Sequence, residues 1–296
     1  MNNELLVSCI IPSYKRSDTL VRAINSALNQ TYENVEVLVV DDNIDGDEYS
    51  IALKEIIHQF GSEPRVRLIS QEKHINGAEA RNAGVRASNG EYIAFLDDDD
   101  EWLPNKIERQ MEVMLADPQL GGVAGGATLW EGEKEISHLP LSKVTEEDLL
   151  LNVLIRKVRF ATSTFLCKKG AFEAMGGFDT DLIRSQDLQL FADFLAHYRI
   201  YPLTSELTTK MYVESNINRL GTKKLIHNKE AFFNSINDVI DSFPKPTRRR
   251  IKSAHYYEIA LVAMREGRLL IGIWYLFKGI TSLRSILDLI DRYKTR

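Results

Sequence analysis

Four consecutive aspartates, Asp97 to Asp100, follow directly on the apolar run Tyr92–Leu96. Like charges packed together repel one another, and no Lys or Arg lies among these residues or directly beside them in the sequence. Such a cluster at the end of a buried strand must bind a cation or take up protons. Because carboxylate oxygens suit the hard ions Mg²⁺ and Mn²⁺, the cluster predicts a divalent metal site.

The run before the aspartates is one of four short apolar or β-branched runs in the first hundred residues, namely Leu5–Ile11, Val35–Val40, Arg65–Ile69 and Tyr92–Leu96. The first, second and fourth are apolar almost continuously, which is typical of parallel strands covered on both faces. Helical patterns lie between them at residues 17–30 and 77–88. The order of strands and helices predicts a doubly wound α/β domain.

Ligands of such domains bind where the carboxyl ends of the strands meet. At those ends the sequence places PSYKR (12–16), the pair Asp41 and Asp42, and the aspartate cluster. Mg²⁺ and Mn²⁺ complete their shells with water and substrate phosphates, so a phosphorylated substrate is implied. No GxxxxGK[ST] or GxGxxG loop follows any predicted strand, which excludes the commonest ATPase and dinucleotide sites and leaves the metal to neutralise a diphosphate.

Composition limits the alternatives. The chain has 296 residues, is 44% hydrophobic and carries a formal net charge of -5, which argues against a nucleic-acid partner. Cys9 and Cys167 each lie in an apolar run and are expected to be buried thiols. The N-terminal residues lack the pattern of a signal peptide and no apolar run is long enough to span a bilayer, so we expect a cytoplasmic protein.

Two longer stretches carry a family resemblance: VSCIIPSYKRSDTLVRAINSALNQTYENVEVLVVDDN (7–43) and NGAEARNAGVRASNGEYIAFLDDDDEWLPNKIERQ (76–110). Together they resemble the N-terminal half of the family-2 inverting glycosyltransferases, with a looser match to about residue 215. The resemblance implies a GT-A type (Rossmann-like) α/β fold: a mixed, mostly parallel sheet flanked by helices. It also implies Mn²⁺ or Mg²⁺ as cofactor and a nucleotide-diphospho-sugar as donor.

Site residues follow from the same resemblance. Tyr14 would stack on the nucleobase, with Pro12 and Ser13 on the same wall, and Asp42 would accept a hydrogen bond from the base, usually uracil. The donor's diphosphate and sugar would be bordered by Asn76, Gly77, Arg81, Asn82 and Gly84. In the Asp-x-Asp motif, Asp97 and Asp98 would reach the ribose and a metal-bound water, and Asp99 would bind the metal directly, with Asp97 as the second metal residue.

The catalytic base is predicted in the second half. MGGFDTDLIRSQDLQLFADFLAH (175–197) resembles the acceptor-side segment of the family and places Asp187 at the base position. Gln186 stands where the family usually has a Glu, and Gln189 stands where it commonly has an Asp. Asp187 is therefore the one carboxylate left at these three positions. A third metal ligand has no clear match; Ser215, Asn216 and Asn218 offer only oxygens or water-mediated contacts.

Each assignment has a structural alternative. The aspartates could form a solvated turn before the helix that Pro104 opens, and Tyr14 could cover the sheet edge. Asp42 and Asp187 could be caps, and Asn82 and Gly84 could only shape a helix. His74, His138, His197 and His227 have no metal-binding spacing and are expected at the surface or in packing.

The C-terminal segment differs in character, so we predict a catalytic domain at 1–221 and a helical extension at 222–296. Tyr257, Leu261 and Met264 are spaced for one helix face, and Ile273, Leu276, Phe277 and Ile280 for a second helix. The favoured interpretation is a hairpin packed on the main domain. The alternative is peripheral contact with the inner face of the plasma membrane, from basic residues 248–252 and the aromatic stretch at 274–277.

These features predict a metal-dependent inverting glycosyltransferase that uses a nucleotide-diphospho-sugar, with uridine favoured, to extend a glycan or lipid-linked saccharide of the cell surface. One alternative is a sugar-phosphate nucleotidyltransferase, which would want a Gly-rich loop after the first strand. The other is a catalytically silent protein that binds sugar nucleotides, suggested by Gln186 and Gln189.

Overall fold

The computed structural model of the chain describes residues 5–16, 18–71, 73–139, 148–213 and 220–294, with the backbone alone at residues 205 and 291–294. Within these residues one sheet contains nine strands. The strands are β1 (Val7–Ser13), β2 (Val35–Asp41), β3 (Val66–Ser70), β4 (Tyr92–Phe95), β5 (Glu101–Trp102), β6 (Leu120–Glu131), β7 (Lys134–Leu139), β8 (Phe165–Lys168) and β9 (Arg199–Tyr212).

Helices cover both faces of the sheet and form the C-terminal segment. They are α1 (Leu20–Leu28), α2 (Glu48–Gln59), α3 (Gly77–Ala87), α4 (Lys106–Ala116), α5 (Leu149–Leu154), α6 (Lys169–Ala174), α7 (Gln186–His197), α8 (Thr222–Ser235), α9 (Asn237–Asp241), α10 (Lys245–Arg265), α11 (Leu269–Gly279) and α12 (Leu283–Lys294).

The strand order is β3-β2-β1-β4-β8-β6-β9-β5, with β7 beside β6. β1 pairs in parallel with both β2 and β4, whereas β8 runs antiparallel to its neighbours β4 and β6. The predicted α/β fold class is therefore confirmed as a mixed sheet flanked by helices. Because β1, β2 and β4 run in the same direction, their carboxyl ends lie at one edge of the sheet, as expected.

The strands predicted as continuously apolar are buried on both faces. All of β2 and β4 is buried, and separate apolar cores lie on the two sides of the sheet. Both cysteines are buried, as predicted. Gly84 has a packing role: a Cβ there would lie 2.4 Å from Ile10 Cγ2, so only glycine lets α3 approach β1 this closely.

The strand boundaries differ from the expectation by one or two residues. β1 continues to Ser13 and β2 to Asp41, because these two residues pair in the ladder between the strands. The Asp41 carboxylate is buried and accepts hydrogen bonds from Asn43 and from Ser50 Oγ at 2.7 Å, so it anchors α2. We did not predict α2, since it buries only Ser50 and Leu53 and its apolar periodicity is weak.

The C-terminal segment is more than the predicted hairpin, since α8 to α12 all belong to it. Phe232 and Ile251 lie in the same core cluster as Phe191 of α7, so these helices pack on the main body. The division at residue 221 stays a prediction. Among the described residues no single helix is long and apolar enough to cross a membrane, and α11 and α12, which pass that test as a pair, bend by 117° where they meet.

Candidate functional site

An open crevice of about 280 Å³ lies at the carboxyl edge of β1, β2 and β4. It brings together most of the residues that the sequence predicts for donor and metal binding. Its lining comprises Pro12, Ser13, Tyr14, Arg16, Asp42, His74, Gly77, Arg81, Asp97, Asp98 and Asp99. Arg16 and His74 are the members that our sequence analysis did not assign to a site. Asn76, Asn82 and Asp187, which it did assign, are not part of this lining.

The aspartate cluster forms one end of the crevice. Carboxylate oxygens of Asp97, Asp99 and Asp100 all lie within 4.8 Å of one another. Asp98 is buried and accepts a hydrogen bond from Ser13 Oγ at 2.8 Å. Asp100 is also buried and accepts from Ser163 Oγ at 2.5 Å and from the Tyr212 backbone at 3.3 Å. The cluster is therefore tied to the surrounding strands and is not a solvated turn.

Arginines distant in sequence lie against the cluster. Arg16 forms an ion pair with Asp99 and lies 3.9 Å from Asp98, and Arg81 forms an ion pair with Asp97. Arg22 donates to the backbone oxygen of Asp99 at 2.6 Å. No Lys or Arg lies beside the aspartates in the sequence, and the fold brings these arginines to the carboxyl edge: Arg16 from the loop after β1, Arg22 from α1 and Arg81 from α3.

Asp98, Asp99 and Asp100 nevertheless hold protons more readily than ordinary carboxyl groups. Burial raises the pKa of Asp98 to about 7, with the charges of Asp99 and Asp97 adding to the effect and the Ser13 hydrogen bond opposing it. The pKa of Asp99 is raised by burial and then by Asp97, and that of Asp100 well above its ordinary value by the same causes. The four aspartates carry more negative charge than their ion pairs with Arg16 and Arg81 balance. A set of hard oxygen donors in this state fits Mg²⁺ or Mn²⁺.

An aromatic pair forms the other end of the crevice. The Tyr14 and His74 rings are stacked, with centroids 3.9 Å apart and planes 12° apart. His74 Nδ1 lies 3.0 Å from Asp42 Oδ2 and 2.9 Å from the Asp42 backbone oxygen. Burial raises the pKa of the Asp42 carboxyl, and the nearby His74 opposes this. His74 does pack, as expected, but it does so in the crevice; its position two residues before Asn76 was the signal that could have placed it there.

Asn76 and Asn82 hold a loop against α3. Asn76 Oδ1 caps the helix by accepting from the Ala78 and Glu79 amides at 3.0 Å, and its Nδ2 donates to Thr180 O at 2.8 Å. Asn82 exchanges two hydrogen bonds, at 2.9 and 3.0 Å, with the backbone of Phe178. Both side chains thus bind the segment that leads to α7. Direct contact of either asparagine with a donor stays a prediction.

Asp187 lies at the end of that segment, in the first turn of α7, and is exposed. The helix N-cap is Ser185, with φ 68°, so the capping role considered for Asp187 does not apply. No hydrogen bond joins its carboxylate to another residue in the described part of the chain. Gln189 is buried, accepts from the Asp179 amide at 3.0 Å and donates to Asp193 at 2.6 Å, so this departure from the family pattern has a structural role.

The segment considered for a third metal ligand, with Ser215, Asn216 and Asn218, lies outside the described residues. It follows β9, whose last residue, Tyr212, is covered by the Arg22 guanidinium at 3.8 Å from the ring centroid. Arg22 therefore contacts both the aspartate cluster and the strand that leads to this segment.

Comparisons with known proteins agree with this architecture. WfgD of Escherichia coli, a UDP-Glc:alpha-D-GlcNAc-diphosphoundecaprenol beta-1,3-glucosyltransferase, is 40% identical over 113 residues, which are 38% of this chain and 42% of that protein. The amylovoran biosynthesis glycosyltransferase AmsB of Erwinia amylovora is 25% identical over 271 residues, covering 90% of this chain and 87% of AmsB.

A solved structure, S. aureus TarS 1-349 in complex with UDP-GlcNAc, superimposes with a TM-score of 0.66 at 14% identity, covering 97% of this chain and 79% of TarS. At that identity the likeness concerns the fold. The profile of the family described as Glycosyl transferase family 2 matches residues 8–175, which is more than half of the chain. Together with the order of its motifs along the sheet edge, this match shows that the chain belongs to glycosyl transferase family 2.

Proposed function

We propose that this chain transfers a sugar, with inversion, from a nucleotide-diphospho-sugar to a hydroxyl group of a cell-surface glycan precursor. The observation that carries the proposal is the crevice, which has an aromatic ring beside a buried carboxylate at one end and a carboxylate cluster at the other. A nucleobase fits the first end and a metal-bound diphosphate the second.

Asp97 and Asp99, with Asp100 as a third oxygen donor, are the residues that would hold Mg²⁺ or Mn²⁺. When bound, the ion supplies positive charge that stabilises the leaving diphosphate. Ser13 and Arg16 hold Asp98 and Asp99 in position around it. Arg81, held by a hydrogen bond to Gly77 O at 3.0 Å, is placed to contribute a fixed positive charge beside the diphosphate.

The end of the crevice proposed for the nucleobase favours a uridine donor. Asp42 is buried at the crevice wall and offers carboxylate oxygens that can accept from uracil N3–H, while Tyr14 is half exposed and offers a ring for stacking. WfgD uses UDP-Glc, and TarS binds UDP-GlcNAc. We therefore propose a UDP-sugar as the donor, with Pro12 and Ser13 on the same wall.

We propose Asp187 as the base that takes the proton from the acceptor hydroxyl. Its carboxylate is exposed in the first turn of α7 and accepts no hydrogen bond from another described residue, so it is open to an acceptor hydroxyl. The hydrogen bonds of Asn76 and Asn82 fix the preceding loop and so set the approach of α7 to the crevice. Because the acceptor of WfgD is diphosphoundecaprenol-linked, we propose a lipid-linked saccharide as acceptor. The cytoplasmic location stays a prediction.

Calorimetric titration tests the proposal. UDP, GDP and dTDP are titrated into the protein with Mn²⁺ and with EDTA, beside Asp99→Asn and the exposed control Asp45→Asn. We expect UDP to bind in the presence of Mn²⁺ and to bind weakly in EDTA. This metal dependence should be lost in Asp99→Asn and kept in Asp45→Asn. Binding that ignores both metal and Asp99 would overturn the donor site. Binding without any transfer to lipid-linked acceptors would favour the catalytically silent alternative.

A further inference from the structure

The last two helices expose their apolar residues and bury their small and polar ones. Nine of the nineteen large apolar side chains that are exposed in the described part of the chain lie between Leu269 and Ile290. They are Leu269, Leu270, Ile273, Trp274, Phe277, Ile280, Leu283, Leu287 and Ile290, and we call them the outer apolar surface. Leu270 is 86% exposed, Leu283 74% and Phe277 71%. So dense a group is unusual for a face that meets only water.

The inner sides of the same helices explain why this arrangement is stable. α11 meets the rest of the protein through Gly272, Tyr275 and Gly279. A Cβ at Gly272 would lie 2.7 Å from Met264 Cγ, and one at Gly279 would lie 2.8 Å from the Tyr257 ring, so glycine permits close contact with α10. Apart from Tyr275, the largest side chains of α11, such as Trp274 and Phe277, are left exposed on the opposite side.

α12 is anchored through polar groups. Its buried residues are Ser285 and Asp288, and Asp288 forms ion pairs with Arg250 and, at 2.9 Å, with Lys157. A helix at the surface of a water-soluble protein normally turns its polar side outward. Here Ser285 and Asp288 face the protein, whereas Leu283, Leu287 and Ile290 are exposed. The arrangement is that of a surface built to contact something apolar.

The charges beside the outer apolar surface identify its partner. Lys278 and Arg284 are exposed on α11 and α12, and no carboxylate in the described residues pairs with either. Two nearby acids are engaged, Asp288 as above and Glu266 with Thr222 and Arg268. A local positive excess thus accompanies the surface although the whole chain carries -5. The Lys278 ammonium lies 4.5 Å from the Trp274 ring centroid, so aromatic and cationic groups share one face.

We propose that α11 and α12 lie flat on a membrane surface that contains anionic lipids, with the outer apolar surface inserted at the boundary between headgroups and acyl chains. Trp and Phe favour this depth, while Lys and Arg extend to the headgroup phosphates. The 117° bend between the helices, each shorter than a bilayer span, suits a segment that lies on the membrane and does not cross it. A second copy of the chain is a poorer partner, because it would bring the same unpaired cations to the interface. The inference is independent of whether the crevice transfers a sugar.

Sedimentation with vesicles tests this surface on the full chain. Wild-type protein is mixed with vesicles of phosphatidylcholine alone or with one-third phosphatidylglycerol. We expect the wild type to bind preferentially to the anionic vesicles. The double variant Trp274→Glu with Phe277→Glu should bind at least about tenfold more weakly. Lys278→Gln and Arg284→Gln should each bind about fivefold more weakly at low salt. The matched control Ile51→Glu changes an exposed isoleucine of α2 and should bind as the wild type does.

Acyl-chain-brominated lipid adds a readout of depth. It should quench the fluorescence of Trp274, and Trp274→Phe should abolish that quenching while keeping vesicle binding. Unchanged thermal unfolding of the variants would show that they fold. Wild-type protein that stays in the supernatant, or an equal loss in Ile51→Glu, would overturn the proposal. So would light scattering that finds a lipid-free dimer dissociated by the double variant, because a second copy would then cover the surface.

Discussion

The imidazole of His74 lies flat against the phenol ring of Tyr14, and its Nδ1 lies 3.0 Å from the buried Asp42 carboxylate. One side chain thus joins the two residues proposed to recognise the nucleobase. Stacking holds the Tyr14 ring in one orientation before a ligand arrives, which lowers the entropic cost of binding.

His74→Ala should therefore weaken UDP binding by about two- to tenfold, the equivalent of about 0.5–1.5 kcal/mol for an aromatic pair. His138→Ala, at an exposed histidine of β7, serves as the matched control and should leave affinity unchanged. Calorimetric titration measures both. Equal UDP affinity in His74→Ala and wild type would mean that the histidine only fills space beside Tyr14.

Asp187→Asn should reduce transfer by about 10²–10⁴-fold, because an amide cannot take the proton of the acceptor hydroxyl. UDP affinity should not change, since Asp187 does not line the crevice. The control is Asp181→Asn, at an exposed aspartate of the same loop. Single-turnover assays with a lipid-linked acceptor measure the rate. If Asp181→Asn lost as much activity as Asp187→Asn, the base assignment would fail.

Asn82→Ala should lower the free energy of unfolding by about 1–3 kcal/mol, because it leaves the buried amide and carbonyl of Phe178 without their partner. Asn152→Ala removes a half-buried asparagine whose exposed hydrogen bond goes to Asp148 O, and should cost much less. Urea unfolding compares the two. A small loss in Asn82→Ala would show that the loop before α7 is held by other contacts.

Asn82→Ala should also raise KM for the acceptor more than KM for the donor, since the loop it releases leads to Asp187. Steady-state kinetics with each substrate varied in turn would detect the difference. An equal rise in both constants would indicate a general loss of fold.

The contribution of His255 to stability should fall as pH drops below about 6.5. This histidine is buried, its Nε2 donates a hydrogen bond to Leu154 O at 3.0 Å, and its ring stacks on Phe232 with centroids 5.4 Å apart. Burial, with the charges of Lys229 and Arg156, lowers its pKa well below the ordinary value. The unfolded chain therefore binds the proton first, and each pH unit below 6.5 costs about 1.4 kcal/mol until the folded pKa is reached.

Urea unfolding of wild type and His255→Gln between pH 5 and pH 8 tests this dependence. Subtracting one curve from the other removes the contributions of groups common to both proteins, such as Asp98. Glu258, whose pKa is lowered, acts only below its unfolded value near 4.5. Parallel curves for the two proteins would show that His255 is not the titrating group.

The proposed metal dependence has a stability counterpart. Mn²⁺ that binds the aspartates in the folded chain, and not in the unfolded chain, should raise the midpoint temperature of thermal unfolding. Asp99→Asn should remove most of that increase. Asp45→Asn should keep it. A Mn²⁺ effect of equal size in Asp99→Asn would place the ion elsewhere on the chain.

The alternation of strands and helices, and the position of the polar groups at the strand ends, could be predicted from local sequence patterns. Both are local properties: burial on two faces makes β1, β2 and β4 continuously apolar, and parallel direction then brings Tyr14, Asp42 and Asp97 to one edge. Where the periodicity is weak, as in α2 with its two buried residues, the same reasoning failed.

The interaction partners of these residues, by contrast, depend on the tertiary fold. The ion pairs of Arg16 and Arg81 with the aspartates, the stacking of His74 on Tyr14 and the bonds of Asn82 to Phe178 each join positions distant in sequence, and no periodicity encodes such a pairing. The same holds for α11, where spacing showed an apolar face at Ile273 and Phe277. Which face meets the protein depended on Gly272 and Gly279, because close packing of the backbone on α10 was more favourable than burial of the large side chains.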